Sequence, residues 1–213
     1  MIIIKANTPN KAWLSAFSSI YQNGSETNND KYFRDELTLI EIKRPTIEPA
    51  DKRFPMSQRD LDIINNYIYS GKNEDQVVHE WTKLYHHRAF DEPNSQIEFL
   101  INKLSSGQPV GEAQISMWDK NIDQNQEISP CTQIIWARIK HDKLELHVHA
   151  HSSDIYKKLL MNILEFVSLQ KYIADRLEVE VGTYYHFIDS GHLHYKDIYE
   201  IETLFGSIKK TDF

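Results

Sequence analysis

Gln133-Ile-Ile-Trp-Ala-Arg-Ile-Lys140, then Lys143-Leu-Glu-Leu-His-Val-His149, then Ala150-His151-Ser152-Ser153-Asp154 leading into an apolar run, is the stretch on which the fold turns. The second run alternates apolar and polar residues cleanly and the first more loosely. Together they predict a β-hairpin turned by Lys140-His141-Asp142-Lys143. Ser152, Ser153 and Asp154 are good N-cap residues and place a helix from about Ile155 to Ile173. Ile155, Leu159, Leu160, Ile163, Leu164, Phe166, Val167 and Leu169 span an arc too wide for a surface helix, so it is expected to be mostly buried. Asn162 sits among them, and a buried amide left unpaired costs about 1–3 kcal/mol. It reads either as a satisfied core asparagine or as a donor and acceptor for the edge of a planar ligand.

Immediately before the hairpin stands Pro130-Cys131, the only cysteine of the chain. A lone cysteine is usually a small buried hydrophobe. This one ends a polar connector and starts a strand, which is a rim position rather than mid-core. Working outward, Met1–Lys5 reads as an edge strand, and Asn10–Gln22 as a helix with Trp13, Leu14, Phe17, Ile20 and Tyr21 on its buried face. Asn23-Gly24 ends that helix, and Gly24–Asp30 is a polar, mobile loop. Glu36–Lys43 is a strand, Thr46–Pro55 a connector, and Ser57–Ser70 a helix closed by Gly71. Asp75–Leu84 gives a short helix from which Tyr85-His86-His87-Arg88 departs. Ser95–Leu104 is a helix, Ala113–Trp118 a strand, and Asp119–Glu127 a polar loop leading to the cysteine. Beyond the central helix, Leu177–Val181 alternates as a strand that continues through Tyr184–Phe187, and Asp197–Phe205 forms a last helix.

The 213 residues suit one α/β domain over the whole chain, 1–213. No apolar run approaches the roughly 20 residues needed to span a bilayer, and no signal peptide is legible at the start. The formal charge of −7 argues against wrapping a nucleic-acid backbone. A single cysteine excludes an intrachain disulfide, which makes the cytoplasm the expected compartment.

Trp118-Asp119, Pro130-Cys131, Ser152-x-Asp154, Asn162 and His192 resemble, in order, the anchors of the thymidylate synthases and their nucleotide hydroxymethylase relatives. The separations match as well: 23 residues from Cys131 to Asp154, 8 from there to Asn162, and 30 more to His192. Tyr85-His86-His87-Arg88 is similar to the Tyr-Gly-x-Arg segment of that family. The compact length looks like the short archaeal-type members.

Departures stand beside the matches. His151 occupies the place of the arginine that grips the substrate phosphate, and Gly111-Glu112 that of two arginines reaching across a dimer. An arginine fork suits a phosphate dianion, and a glutamate repels it. Lys31 or Arg34 is a stand-in for a further phosphate arginine. Thr132 follows the nucleophile in place of histidine, and His194 stands for the tyrosine of a His-x-Tyr pair, unless Tyr195 takes that part. The glutamate of an early helix has no clear counterpart, with Ile64 or Asn65 falling there, and only 18 residues follow Tyr195.

The resemblance implies a three-layer mixed β-sheet with flanking helices and a homodimer formed through a sheet face. It implies an enzyme in which the Cys131 thiolate adds to C6 of a pyrimidine nucleotide or nucleoside, so that C5 takes up a methyl or hydroxymethyl group. The carbon carrier would be 5,10-methylenetetrahydrofolate. Tyr85 would move a proton at C5, Trp118 and Asp154 would meet the folate, and Asn162 would read a uracil-type edge. His151 and Ser152 would face the substrate, His192 and His194 its sugar, and His151 is the expected cation for the thiolate. A catalytically degenerate binding or dimerisation module is the alternative, favoured by the lost arginines. The alternating His147, His149 and His151, with His192 and His194, also fit a metal site, but the thymidylate-synthase reading covers the same residues with fewer assumptions and no metal is assigned.

Overall fold

Residues 1–28, 30–91, 93–107 and 111–213 are described by a computed structural model of the chain. Asn29, in the expected Gly24–Asp30 loop, lies outside the described residues. The elements in order are β1 (Ile2–Ala6), α1 (Pro9–Asn23), β2 (Tyr32–Ile42), α2 (Gln58–Ser70), α3 (Glu80–Phe90), α4 (Gln96–Ser105) and β3 (Gln114–Ser116). They continue with β4 (Thr132–Lys140), β5 (Lys143–Asp154), α5 (Leu159–Arg176), β6 (Glu180–His194) and α6 (Ile198–Ser207). Among the described residues six strands form one mixed sheet in the order β1-β2-β6-β5-β4-β3. The pairs β1–β2 and β5–β6 are parallel and the other three antiparallel. Helices α1, α4 and α5 pack on the sheet, and α2 lies over α5, which makes the third layer.

The hairpin forms as its alternation predicts. His141 and Asp142 turn it with positive φ at both positions (52° and 58°), the geometry whose twist matches that of the flanking strands. Leu144, Leu146 and Val148 face the helices, while His147 and His149 share the opposite, half-exposed face with Trp136, Tyr185 and Phe187. The Ser57 hydroxyl caps α2 by accepting the Asp60 N–H at 3.1 Å, and Gly71 closes it at φ 65°.

Four boundaries depart from expectation. Ser152, Ser153 and Asp154 are the end of β5 rather than a helix cap, because β6 offers a parallel partner as far as Asp154 opposite His192. The Asp154 carboxylate instead closes the next turn, accepting the N–H groups of Tyr156 (3.1 Å) and Lys157 (2.9 Å), and α5 starts at Leu159. The buried Trp13 Nε1–H holds that turn through the Ile155 carbonyl at 2.9 Å. Leu177–Val179 alternates like a strand but finishes α5, with Glu178 at φ 55°, and β6 begins at Glu180. The helix expected at Asp75–Leu84 starts at Glu80, so Tyr85-His86-His87-Arg88 lies inside α3. β2 is also longer than Glu36–Lys43, beginning at Tyr32 opposite His194.

Fourteen of the eighteen α5 residues are buried, so this helix is core on nearly every side, as its wide apolar arc predicts. Among the described residues no helix is long and apolar enough to cross a membrane.

Candidate active site

Parallel pairing brings the ends of β5 and β6 side by side, and Cys131 stands next to them at the start of β4. Its backbone is held from two directions: its carbonyl accepts the His151 N–H at 2.9 Å, and the next N–H, of Thr132, is donated to the Tyr85 hydroxyl at 3.1 Å. The thiol is half-buried, with the Ser152 hydroxyl 3.7 Å from Sγ as a donor.

In front of Sγ opens a cavity of about 640 Å³, within the range of about 300–1,000 Å³ usual for small-molecule sites. β5 contributes His151, Ser152, Ser153 and Asp154 to its wall, α5 brings Asn162 with Lys158 just before it, and β6 supplies His192 and His194. Tyr85 and Trp81 of α3, with His79 and Glu80 at its start, close one side; Lys31 and Tyr32 close another, and the Glu127–Ser129 loop a third. Cys131, Tyr85, His151, Ser152, Asp154, Asn162, His192 and His194 therefore meet at one cavity, and Trp118 does not. The Trp118 carbonyl accepts from the Ser116 hydroxyl at 2.7 Å, outside the cavity wall, and it is Trp81, one helical turn before Tyr85, that presents a tryptophan there.

Arg88 sets the path of the loop that leads to the thiol. Its guanidinium makes two bonds to the Asp123 carboxylate, at 2.6 and 2.7 Å, and a third to the Met117 carbonyl. Asp123 also accepts the Asp119 N–H at 2.8 Å, so residues 117–123 are drawn onto α3. The bond from Arg88 holds the Asp123 carboxyl below the usual carboxylate range.

Burial decides the charge of the histidines. His192 stacks on Tyr32 (centroids 3.9 Å apart) and donates from Nδ1 to the Ser190 carbonyl at 3.2 Å. Burial lowers its pKa to about 4, and lowers that of His194 and His151 as well. Asp154 is pushed up by burial against the pull of the Lys157 N–H and of His194, whose Nε2 is 3.6 Å from its free oxygen. A histidine with a depressed pKa is neutral at pH 7, so His151 is not the cation expected for the thiol. Lys158, whose charge reaches Cys131, Asp154 and Glu165, takes that position, its own pKa lowered by burial. Of the two phosphate stand-ins, Lys31 reaches the cavity, whereas Arg34 pairs with Glu26 at 2.9 Å. Gly111 lies elsewhere, its carbonyl accepting from Trp136 Nε1 at 2.8 Å.

Several buried polar atoms have no partner among the described residues: Asn162 Oδ1, Ser153 Oγ, His151 Nε2 and Thr132 Oγ1. Such atoms cost stability unless something pairs with them, and the Asn162, Ser153 and His151 side chains belong to residues of the cavity wall. Sequence reading missed Glu165, which is wholly buried one turn beyond Asn162. Its signal was an acid inside the apolar arc of α5. Among the described residues no group of three or more His, Cys, Asp or Glu is disposed to hold a metal ion. His147 instead stacks on Tyr185, and His149 pairs with Asp189 at 3.0 Å.

Residues 56–210 match the family model described as thymidylate synthase. A Methanocaldococcus jannaschii protein named "Putative thymidylate synthase" is 26% identical over 208 residues, covering 91% of each chain. The deoxyuridylate hydroxymethyltransferase of Bacillus phage SP01 is 25% identical over 154 residues, 70% of this chain and 35% of its own. Among solved structures, thermostable thymidylate synthase A from Bacillus subtilis superposes with a TM-score of 0.72 at 18% identity, over 93% of this chain and 84% of that one. With the family model spanning well over half of its length, this chain belongs to the thymidylate synthase family.

Proposed function

We propose that the cavity binds a uracil-type pyrimidine and transfers a one-carbon unit to its C5, with Cys131 as the nucleophile. The observation that carries this reading is the meeting, on one cavity wall, of a half-buried thiol, Lys158 and an asparagine whose buried Oδ1 has no partner among the described residues. Addition of the Cys131 thiolate to C6 breaks the C5=C6 double bond and leaves C5 nucleophilic. Lys158 brings a cation near the thiol, and the Ser152 hydroxyl donates to the sulfur. The Asn162 amide pairs with the N3/O4 edge, Oδ1 accepting from N3–H and Nδ2 donating to O4. Tyr85, buried beside the thiol and held by Thr132 N–H, moves the proton at C5, while His192 and His194 meet the sugar.

The cavity also fits a flat reduced folate as co-substrate, since Trp81, Tyr32 and the Asp154 carboxyl all lie on its wall. 5,10-Methylenetetrahydrofolate would supply the carbon there. Neutral His151 replaces a charged fork, so phosphate contributes less to binding than it does beside an arginine, and the substrate is a nucleoside or a weakly held nucleotide. Two copies would pair through the half-exposed sheet face of Trp136, His147, Tyr185 and Phe187, and the enzyme would work in the cytoplasm.

The test is tritium release from 5-tritiated uridine, dUMP and UMP, with their cytosine counterparts, with and without methylenetetrahydrofolate. Wild type and Cys131→Ala are compared, with light scattering to read the oligomer. Release that requires Cys131 is expected. Its absence from every substrate, with the fold intact, sinks the reading and leaves a binding module.

A further inference from the structure

The part of the cavity wall that carries His79 is the end of a strap, residues 71–79, which joins α2 to α3. Most of the strap is exposed, and Gly71 and Asn73 both take positive φ (65° and 60°). Between Asn73 and Val77 its backbone bonds are its own, from Gln76 N–H to the Asn73 carbonyl and from Val77 N–H to that of Glu74. Side chains tie it to the helices. Val77, 4% exposed, is sunk in the core, and His79 Nδ1 lies 3.3 Å from Thr82 Oγ1. Glu74 is held twice. Its Oε2 accepts from the Tyr67 hydroxyl of α2 at 2.7 Å, and lies 3.0 Å from Nε2 of His87 on α3.

The other ring nitrogen of His87, Nδ1, lies 3.1 and 3.2 Å from the two carboxyl oxygens of Asp91. Both partners are carboxylates, which accept hydrogen bonds and do not donate them. A neutral imidazole has one N–H and one lone pair, so it bonds one carboxylate and repels the other. Only the imidazolium, donating from both nitrogens, fits this arrangement.

We infer that His87 is a proton-operated clamp on the strap: charged, it bridges Glu74 to α3, and neutral, it keeps Asp91 and lets Glu74 go. Asp91 is the partner retained because it caps the same helix one turn on, whereas Glu74 stands on the exposed strap. Tyr67 then holds Glu74 alone. The strap loosens without detaching, and with it the stretch of wall at His79. This holds whatever ligand the cavity takes.

The surrounding charges agree with the geometry. Partial burial lowers the His87 pKa, but Asp91 and Glu74 outweigh it and leave it above the ordinary histidine value. The other groups at the clamp are His86, its ring centroid 5.7 Å from that of His87, and Lys83, whose charge reaches Glu74. Burial lowers the pKa of His86, whose Nδ1 donates to the Ile68 carbonyl at 3.1 Å, and Lys83 is paired with Glu80 at 3.0 Å. Tyr67 is pushed up by burial and by Glu74, so it remains a donor. The clamp is closed in acid and opens as pH rises through the raised His87 value.

Two measurements on the full chain test this. An imidazole nitrogen-15 NMR titration should give His87 a midpoint above about 6.5, moving down in Glu74→Gln and in Asp91→Asn. A wild-type midpoint at or below that value, or one that ignores both substitutions, would overturn the clamp. Amide hydrogen exchange then reads the strap itself. Between about pH 5.5 and about pH 8.5, amides 72–79 of the wild type should lose protection about 2–5-fold more than those of Glu74→Gln. Any loss of global stability common to the two proteins cancels in that comparison, and the α3 amides should show no such difference. Equal losses in the two proteins would make Glu74 a structural tether and refute the clamp.

Discussion

Glu165→Gln should stabilise the fold at neutral pH, and the gain should depend on pH in a way that cavity filling or lost packing does not. In the unfolded chain this carboxyl ionises near 4.5, and in the fold near 8. Between these values the folded state holds a proton that the unfolded state has released, so stability falls as pH rises, by up to about 1.4 kcal/mol per pH unit. From 4.5 to 7 the accumulated loss is about 3 kcal/mol. Below about 4.5 both states are protonated and the loss vanishes; above about 8 it levels off at about 5 kcal/mol. Glutamine never ionises, so the variant escapes all of this. Its extra N–H groups carry a cost of about 1 kcal/mol if unpaired, but that cost is the same at every pH. Urea denaturation of both proteins at pH 5, 6, 7 and 8 therefore reads the difference directly. Expected is a variant near parity at pH 5 and more stable by about 2–3 kcal/mol at pH 7. Two stability curves that stay parallel over this range would show that Glu165 is not a buried neutral acid.

The remaining expectations concern the same neighbourhood. Arg88→Leu strands a carboxylate that is 3% exposed, and should destabilise by about 2–4 kcal/mol at pH 7 in urea denaturation. Paired Asp123, with its lowered pKa, stabilises above the ordinary carboxylate value and ceases to as pH falls through its own. The stranded one does the reverse, so the deficit should shrink towards pH 4. His151→Arg should tighten binding of a pyrimidine nucleoside monophosphate about tenfold or more relative to its nucleoside in calorimetry, and equal effects on both would count against the phosphate reading. Gly71→Ala places a Cβ 2.6 Å from His86 Nε2 at φ 65°, and should lower thermal stability by about 1–2 kcal/mol.

Local pattern carried the fold where the partner of an element is its neighbour in the chain. The β4–β5 hairpin, the Ser57 cap with its closing Gly71, and the buried arc of α5 were all legible from spacing alone. The errors sit where a distant strand decides. Ser152–Asp154 has the chemistry of a cap, and stays extended because Ser190–His192 lies alongside. Leu177–Val179 has the alternation of a strand, and is consumed in ending α5. At the candidate site, order and separation singled out Cys131, Asp154, Asn162 and His192, and the fold brings all four to one cavity. Trp81 was not singled out, since a tryptophan on a short helix reads as packing. His151 was placed correctly on the wall but given a charge that burial removes, and exposure is not written in a residue's name.

Strand order has a further consequence, in time. β2 is flanked by β1 and β6, and only β1 precedes it in the chain. About 150 residues separate the end of β2 from the end of β6, which is roughly 8–30 s of synthesis at about 5–20 residues per second. Through that interval β2 lacks the strand that will pair with the backbone groups of its open edge. The nascent chain thus carries an incomplete two-stranded ribbon until almost its last turn is made, and its vulnerability to aggregation on the ribosome should be greatest before Glu180 emerges.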